Sequence, residues 1–279
     1  IYNSVTSGAV NITGCTIRSN TAGTAGGGVY SVNNAPNLAS NIICSNTSDQ
    51  IGGPYNDNGG NVIRTNCDYW VVDDLFDDDP NADFDTIQAA VDAASDGDEI
   101  LVMPGTYTDT QDGHVVDMKG KAIWLHGLEG QAESTIIDGQ NARRGIACYQ
   151  GESADTIIAN LMITNGNSIW YDYNDDDIED FWETSGGGII CYSNSNPTIT
   201  DSTIVGNNTS ASGGGIRCFQ SNPIITGCTI TGNAADYDGG GISCYSSSNP
   251  TITDCTISDN TATFDGGGIS CYVSSSPII

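Results

Sequence analysis

The phrase Gly-Gly-Gly-Ile-x-Cys-(Tyr/Phe) occurs four times, at Gly186–Tyr192, Gly213–Phe219, Gly239–Tyr245 and Gly266–Tyr272, at intervals of 26 or 27 residues. Each of the first three copies leads into a Thr/Ser/Cys-centred apolar stretch and then an Asn. A degenerate copy, Gly145-Ile146-Ala147-Cys148-Tyr149, lies 43 residues before the first, measured from Cys148 to Cys191. A period of this size signals stacked supersecondary units that close their apolar faces only against neighbours. The content of each period is short apolar runs broken by Gly, Asn, Asp, Ser and Pro, such as Gly241–Tyr245, Pro250–Thr253 and Cys255–Ile257. These runs are strand-length and carry no helical period. Three short strands per period describe one coil of a parallel β-helix, with coils about 4.8 Å apart.

Stacking equivalent residues gives ladders. Ile189, Ile216, Ile242 and Ile269 form one column, and Cys148, Cys191, Cys218, Cys244 and Cys271 a second, two residues on and so on the same inward face. A third is expected to hold Cys15, Ser202, Cys228 and Cys255, with Asn160 at the equivalent place. A fourth is expected to hold Asn20, Asn165, Asn207, Asn233 and Asn260, at a turn where amides bond their counterparts above and below. Eight of the ten cysteines thus fall on inward columns. Such thiols read either as small core hydrophobes or as disulfide partners between adjacent coils. Zinc is disfavoured by the lack of Cys-x-x-Cys and by only two histidines, His114 and His126. Tyr149, Tyr192, Phe219, Tyr245 and Tyr272 follow the column cysteines and so face outward, as stiffening ring stacks, a sugar platform or a lateral contact.

Residues 68 to about 110 interrupt the repeat. Asp85-Thr86-Ile87-Gln88 reads as a capping box, with Asp85 as N-cap and Gln88 reaching back. Ile87, Ala90, Val91 and Ala94 continue as an amphipathic helix that Gly97 ends, and Glu99–Met103 is a strand closed by Pro104-Gly105. The run from Thr86 through Val91, Asp96-Gly97-Asp98 and Val102–Tyr107 resembles the N-terminal cap of right-handed parallel β-helices of the pectin-lyase-like superfold. The Gly-Gly-Gly-Ile-x-Cys-Tyr coils resemble its repeat-rich secreted members. The resemblance implies an all-β, right-handed parallel β-helix whose open end is plugged by a short helix near residues 86–96.

Residues 1–67 resemble the last coils and closing segment of a similar domain, since Ile12–Asn20 matches Ile225–Asn233 and Gly26-Gly27-Gly28-Val29 opens another coil. The expected order is therefore a β-helix end at 1–67, an acidic linker at 68–84 and a β-helix start at 85–279, read as an internal piece of a longer secreted polypeptide.

With 35 acidic against 7 basic residues the net charge is −28, which argues against nucleic acid or anionic lipid as partner and for a cation-collecting surface. No run is long and apolar enough for membrane insertion. The acids gather in two places. Asp172, Asn174, Asp176, Asp180 and Glu183 occupy positions 1, 3, 5, 9 and 12 of an EF-hand-like loop suited to Ca²⁺, although Asp177 stands where such a loop needs Gly. Asp77, Asp79, Asn81, Asp83 and Asp85 form a similar alternation in the linker.

Lyases of the resembled superfold use a basic residue as proton acceptor. The basic inventory here is Arg18, Arg64, Lys119, Lys121, Arg143, Arg144 and Arg217, of which only Arg217 sits outward on a regular coil. Hydrolysis would need paired carboxylates, and Asp201 with Asp254 or Asp238 with Asp265 are the candidates, at turn positions that favour Asp anyway. The repeated coils and acidic exterior favour a non-enzymatic structural or adhesive module, extracellular or on the cell surface. Other copies of itself, joined head-to-tail in a fibre or tandem array, are the expected partners. A polysaccharide-binding or polysaccharide-cleaving β-helix is the alternative.

Overall fold

The computed structural model describes residues 2–3, 10–13, 16–18, 20–23, 27–32, 35–39, 42–44, 51–57, 62–64, 69–74, 82–108, 113–168 and 184–279. The chain divides into two compact units, residues 1–69 and 70–279.

The first unit contains three parallel sheets of three strands each, every strand pairing with its equivalent in the neighbouring coil. Its core is Ile12, Ile17, Val29, Leu38 and Ile43, packed against Val10 and Ile51. Outside, an asparagine ladder ties the coils: Asn56 Nδ2 donates to Asn37 Oδ1 at 2.9 Å, and Asn37 Nδ2 to Asn11 Oδ1 at 2.8 Å.

The second unit is the β-helix expected from the repeat, with four parallel sheets. Sheet 1 has seven strands: Trp70–Val72, Glu99–Val102, Trp124–His126, Ile157–Ala159, Thr198–Thr200, Ile224–Thr226 and Thr251–Thr253. Sheet 2 has six, from Gly105–Tyr107 to Thr256–Ser258, and sheet 3 has four two-residue strands from Asn167–Ser168 to Thr261–Ala262. Sheet 4 has six, from His114–Asp117 to Ile269–Tyr272. Each coil visits sheets 1, 2 and 4 in turn, and the later coils add sheet 3 between 2 and 4. Trp70–Val72, within the stretch read as linker, pairs in register with Ile100–Val102.

Alternation on each strand turns every second side chain into the coil. Sheet 1 contributes Ile100, Leu125, Ile158, Ile199, Ile225 and Ile252, each no more than 2% exposed. Sheet 4 contributes the isoleucine and cysteine columns, and Cys148, Cys191, Cys218 and Cys244 are fully buried free thiols in register. Cys271 continues the column but is exposed on the last coil.

Corners between sheets are made by residues with positive φ. Asn160, Asp201, Gly227 and Asp254 turn the chain from sheet 1 to sheet 2, and Asn165, Gly206, Gly232 and Asp259 from sheet 2 toward sheet 3. Asn, Asp and Gly are the residues that occupy this left-handed region at least cost. Two ladder assignments are thereby corrected by one residue. Leu161, not Asn160, stands level with Ser202, because Met162 pairs with Thr203. Gly166, not Asn165, stands level with Asn207, because Asn167 pairs with Asn208. The ladder itself runs through Asn207, Asn233 and Asn260. Asn260 Oδ1 accepts from the backbone N–H and the amide of Asn233, and Asn233 Oδ1 accepts the same pair from Asn207. Asn207 Oδ1 then receives the N–H of Gly166 at 2.8 Å.

The Gly triplets follow this ladder, and each of their positions excludes a side chain for its own reason. Gly186, Gly213, Gly239 and Gly266 have φ of 70, 77, 65 and 63°. A Cβ on the second glycine would lie 2.1–2.3 Å from a backbone oxygen at Gly187, Gly214 and Gly240. On the third it would lie 2.5–2.6 Å from the glycine carbonyl of the next coil at Gly188, Gly215 and Gly241.

The N-terminal plug is the helix α1, Ile87–Ala93, which buries Ile87, Gln88, Ala90 and Val91. The expected capping box is not what forms. Thr86 is the N-cap, its hydroxyl accepting from the Ala89 N–H at 3.3 Å. Gln88 instead acts as a surrogate strand residue. Its Oε1 accepts from the N–H of Asp117 at 2.7 Å and its Nε2 donates to the Asp117 carbonyl at 3.2 Å, satisfying the edge of sheet 4. The helix ends at Ala93 with Ala94 as C-cap, and Lys121 Nζ closes it by donating to the carbonyls of Val91, Asp92 and Ala94.

Candidate functional site

In the later coils a short corner joins sheet 1 to sheet 2, as at Asp201-Ser202 and Gly227-Cys228. Between Trp124–His126 and Thr135–Asp138 the chain inserts residues 127–134, ending in a 3₁₀ turn at Ala132–Ser134. This loop stands as a wall beside the outer face of sheet 1. It is tied to the next coil by Gly130 N–H to Asn160 Oδ1 at 3.3 Å and braced within itself by Ser134 Oγ to the Gln131 carbonyl at 2.7 Å. The result is a groove of about 1340 Å³ whose floor runs from Leu101 and Trp124 to Thr226.

Trp124 is the prominent side chain in it, 40% exposed. Its indole stacks on the His126 ring, centroids 4.3 Å apart and planes 27° from parallel. His126 Nε2 lies 2.9 Å from Glu99 Oε1 and Nδ1 lies 2.8 Å from the Gly127 carbonyl. Both partners are acceptors, so whichever ring nitrogen carries a hydrogen has one to donate to. Beyond Trp124 its column continues through Ile157, Thr198 and Ile224, and the His126 column through Ala159, Thr200 and Thr226. Asp201 stands at the corner, its Oδ2 accepting from Thr200 Oγ1 at 2.7 Å.

The residues expected to hold Ca²⁺, Asp172, Asn174, Asp176, Asp180 and Glu183, lie outside the described residues, as do Asp77, Asp79 and Asn81. Asp83 is used locally, with Oδ2 accepting from the Val71 N–H at 2.8 Å. Asp85 is exposed. Among the described residues no three His, Cys, Asp or Glu are grouped to hold a metal ion.

The expected outward basic residue is a correction. Arg217 does point away from the coil interior, but it is 2% exposed, because Gly186 and Gly213 fold against its side chain. Its Nη1 donates to Ser243 Oγ at 2.5 Å, and its guanidinium lies 6.0 and 5.2 Å from the ring centres of Phe219 and Tyr245. Burial pushes its pKa down to about 10. Arg144 is equally buried and donates to the carbonyls of Ser185 and Gly186. Lys119 pairs with Asp92 at 2.6 Å, and Arg143 donates to the Thr108 carbonyl.

The carboxylate pairs also resolve. Gly227 stands between Asp201 and Asp254 in the corner column, so those two acids are two coils apart. Asp238 and Asp265 are on adjacent coils, but Asp238 Oδ1 accepts the Asp265 N–H, and Asp265 Oδ2 accepts the Tyr272 hydroxyl. The outward rings do stack: Tyr192 on Phe219 at 5.1 Å and Phe219 on Tyr245 at 5.7 Å. Tyr149 leaves the stack, its hydroxyl donating to Asp117 Oδ2 at 3.0 Å.

The groove residues Trp124 and His126, and Glu99 that bonds His126, were not singled out from the sequence. The usable sign was the length of 127–134, eight residues at a corner that takes two in later coils, next to a tryptophan of outward parity.

Residues 144–279 match the protein family described as right handed beta helix region. No curated protein and no solved structure matches the chain. The matched stretch includes the groove lining from Thr198 to Thr229 but not Trp124, His126 or the 127–134 wall.

Proposed function

We propose that this β-helix repeat protein is a non-enzymatic structural or adhesive module of an extracellular or cell-surface polypeptide, stacking head-to-tail with further copies of itself. The observation that carries the reading is the register of the last coils. Ile, Cys and Asn columns repeat at 26 or 27 residues without a register break from Ile189 to Tyr272. Coils that keep one register this closely pair with an equivalent coil of a second copy. Light scattering across a hundredfold concentration range, with electron microscopy of the same samples, tests it. Growth into head-to-tail species is expected, and a single monomeric species at every concentration overturns it.

Calcium belongs to the same proposal on sequence spacing alone: Asp172, Asn174, Asp176, Asp180 and Glu183 supply oxygen ligands in a strongly acidic chain. Titration calorimetry should show Ca²⁺ binding that Asp176→Ala weakens by about tenfold, the loss of one charged ligand. Absence of heat with the parent chain removes calcium.

A second reading, polysaccharide binding, is favoured by the groove, where an exposed indole lies beside rows of threonine hydroxyls.

A further inference from the structure

We infer that the groove on the outer face of sheet 1 holds an uncharged polysaccharide, several sugar units long, laid along the coil axis with Trp124 as its stacking platform. The inference rests on the polysaccharide reading and narrows it to one site and one ligand class.

Shape comes first. From Leu101 to Thr226 the floor crosses five successive strands of sheet 1. Four steps of about 4.8 Å make it roughly 19 Å long. A groove that long and open at its ends admits a stretch of polymer, whereas a small metabolite would leave most of its surface in water.

The lining decides the chemistry. A sugar ring has an apolar C–H face and a polar rim, so it asks for an aromatic plane flanked by hydrogen-bonding groups. Trp124 offers such a plane, with its other side already occupied by His126. Thr198, Thr200 and Thr226 on the floor and Thr203 and Thr229 on the far flank repeat from coil to coil, so hydroxyls recur along the groove. Strand-borne side chains and a tied wall leave little to order when the ligand arrives.

Charge then selects among polysaccharides. Glu129, Glu133 and Asp201 line the groove, and the one basic side chain, His126, already faces Glu99. Set in a chain of net charge −28, this repels a polyuronate and leaves no cation to meet its carboxylates. An uncharged glycan meets no such penalty, and carboxylate oxygens accept from its hydroxyls.

The test is affinity electrophoresis of the whole chain in gels containing xyloglucan, galactomannan or hydroxyethyl cellulose, and in a gel containing polygalacturonate. Retardation by at least one neutral polymer and none by polygalacturonate is expected. Trp124→Ala should weaken it by about tenfold or more, the factor that 1.4 kcal/mol of lost contact gives. Trp124→Phe should restore most of it, and Tyr237→Ala, on a ring outside the groove, should leave it unchanged. Should Trp124→Ala lose its folded circular dichroism spectrum, Thr200→Val on the floor reports in its place. Retardation by polygalacturonate alone sustains the polysaccharide reading and sinks the uncharged ligand. Neutral binding insensitive to both groove variants sinks the site, and no retardation in any gel sinks both.

Discussion

Asn233 shows how much one side chain can carry in a stacked fold. Its Oδ1 receives the N–H and amide of Asn207, while its Nδ2 donates to the Ile204 carbonyl at 2.9 Å and to Asn260 Oδ1. It is fully buried, so Asn233→Ala leaves several buried groups without partners, each costing about 1–3 kcal/mol. We expect a loss of about 3 kcal/mol or more in urea unfolding, against under about 0.5 kcal/mol for exposed Thr263→Ser. That such an amide ladder exists was legible from the recurrence of Asn at the coil period. Its register at the first coil was not, because Asn also suits the left-handed corner beside it. Asn165 has φ 49° and turns the chain, one residue before the ladder position. A residue type favoured for two physical reasons at neighbouring places cannot be assigned from spacing alone.

At the scale of the element, α1 shows the same ambiguity. Asp85 and Gln88 have the spacing of a capping box, yet Gln88 is drawn away by the unpaired edge of Asp117, a buried partner worth more than a solvated cap. Asp117 itself is held in a buried pocket. Burial pushes its carboxyl above the usual range, with Glu152 adding to the rise, while the Lys119 N–H and the Tyr149 hydroxyl oppose it. The folded chain therefore holds this proton more tightly than the unfolded chain. Its contribution to stability is fullest below the ordinary Asp value near 3.8 and falls as pH rises through the higher folded value. Asp117→Asn removes that slope. Urea midpoints at a series of pH values from 3.5 upward should show the variant gaining on the parent as pH rises, and parallel profiles would contradict the pocket. The same edge contact makes Gln88→Ala a test of the plug, with about 1–3 kcal/mol lost for the two unmet backbone groups.

For the whole molecule, charge and topology act in opposite senses. Net charge of −28 pushes the coils apart, while each coil is held by only its two neighbours. Salt screens the first term and leaves the second, with a Debye length falling from about 30 Å at 0.01 M to about 3 Å at 1 M. The unfolding temperature should rise between those concentrations by roughly 2–4 °C for each kcal/mol of repulsion relieved. A melting temperature unmoved by sodium chloride would show that the acids are already compensated in the fold.

What the sequence alone determined is the coil: a period of 26 or 27, strands of three to five residues, isoleucine and cysteine facing in, one Gly triplet per coil, and a helix near residue 87 over one end, whereas the two-residue strands of sheet 3 came only with the structure. These follow from constraints that repeat, so each copy restates the others. The groove and the fate of the charged side chains were decided by tertiary structure. Arg217 is outward by parity and yet buried, since strand alternation says which face a side chain leaves from and nothing about a loop folding over that face. Trp124, His126 and Glu99 come together from two strands 25 residues apart in register, beside a loop found once among the described residues. A constellation that occurs once has no second copy along the sequence to reveal it, and only the stacking of coils brings its parts within reach.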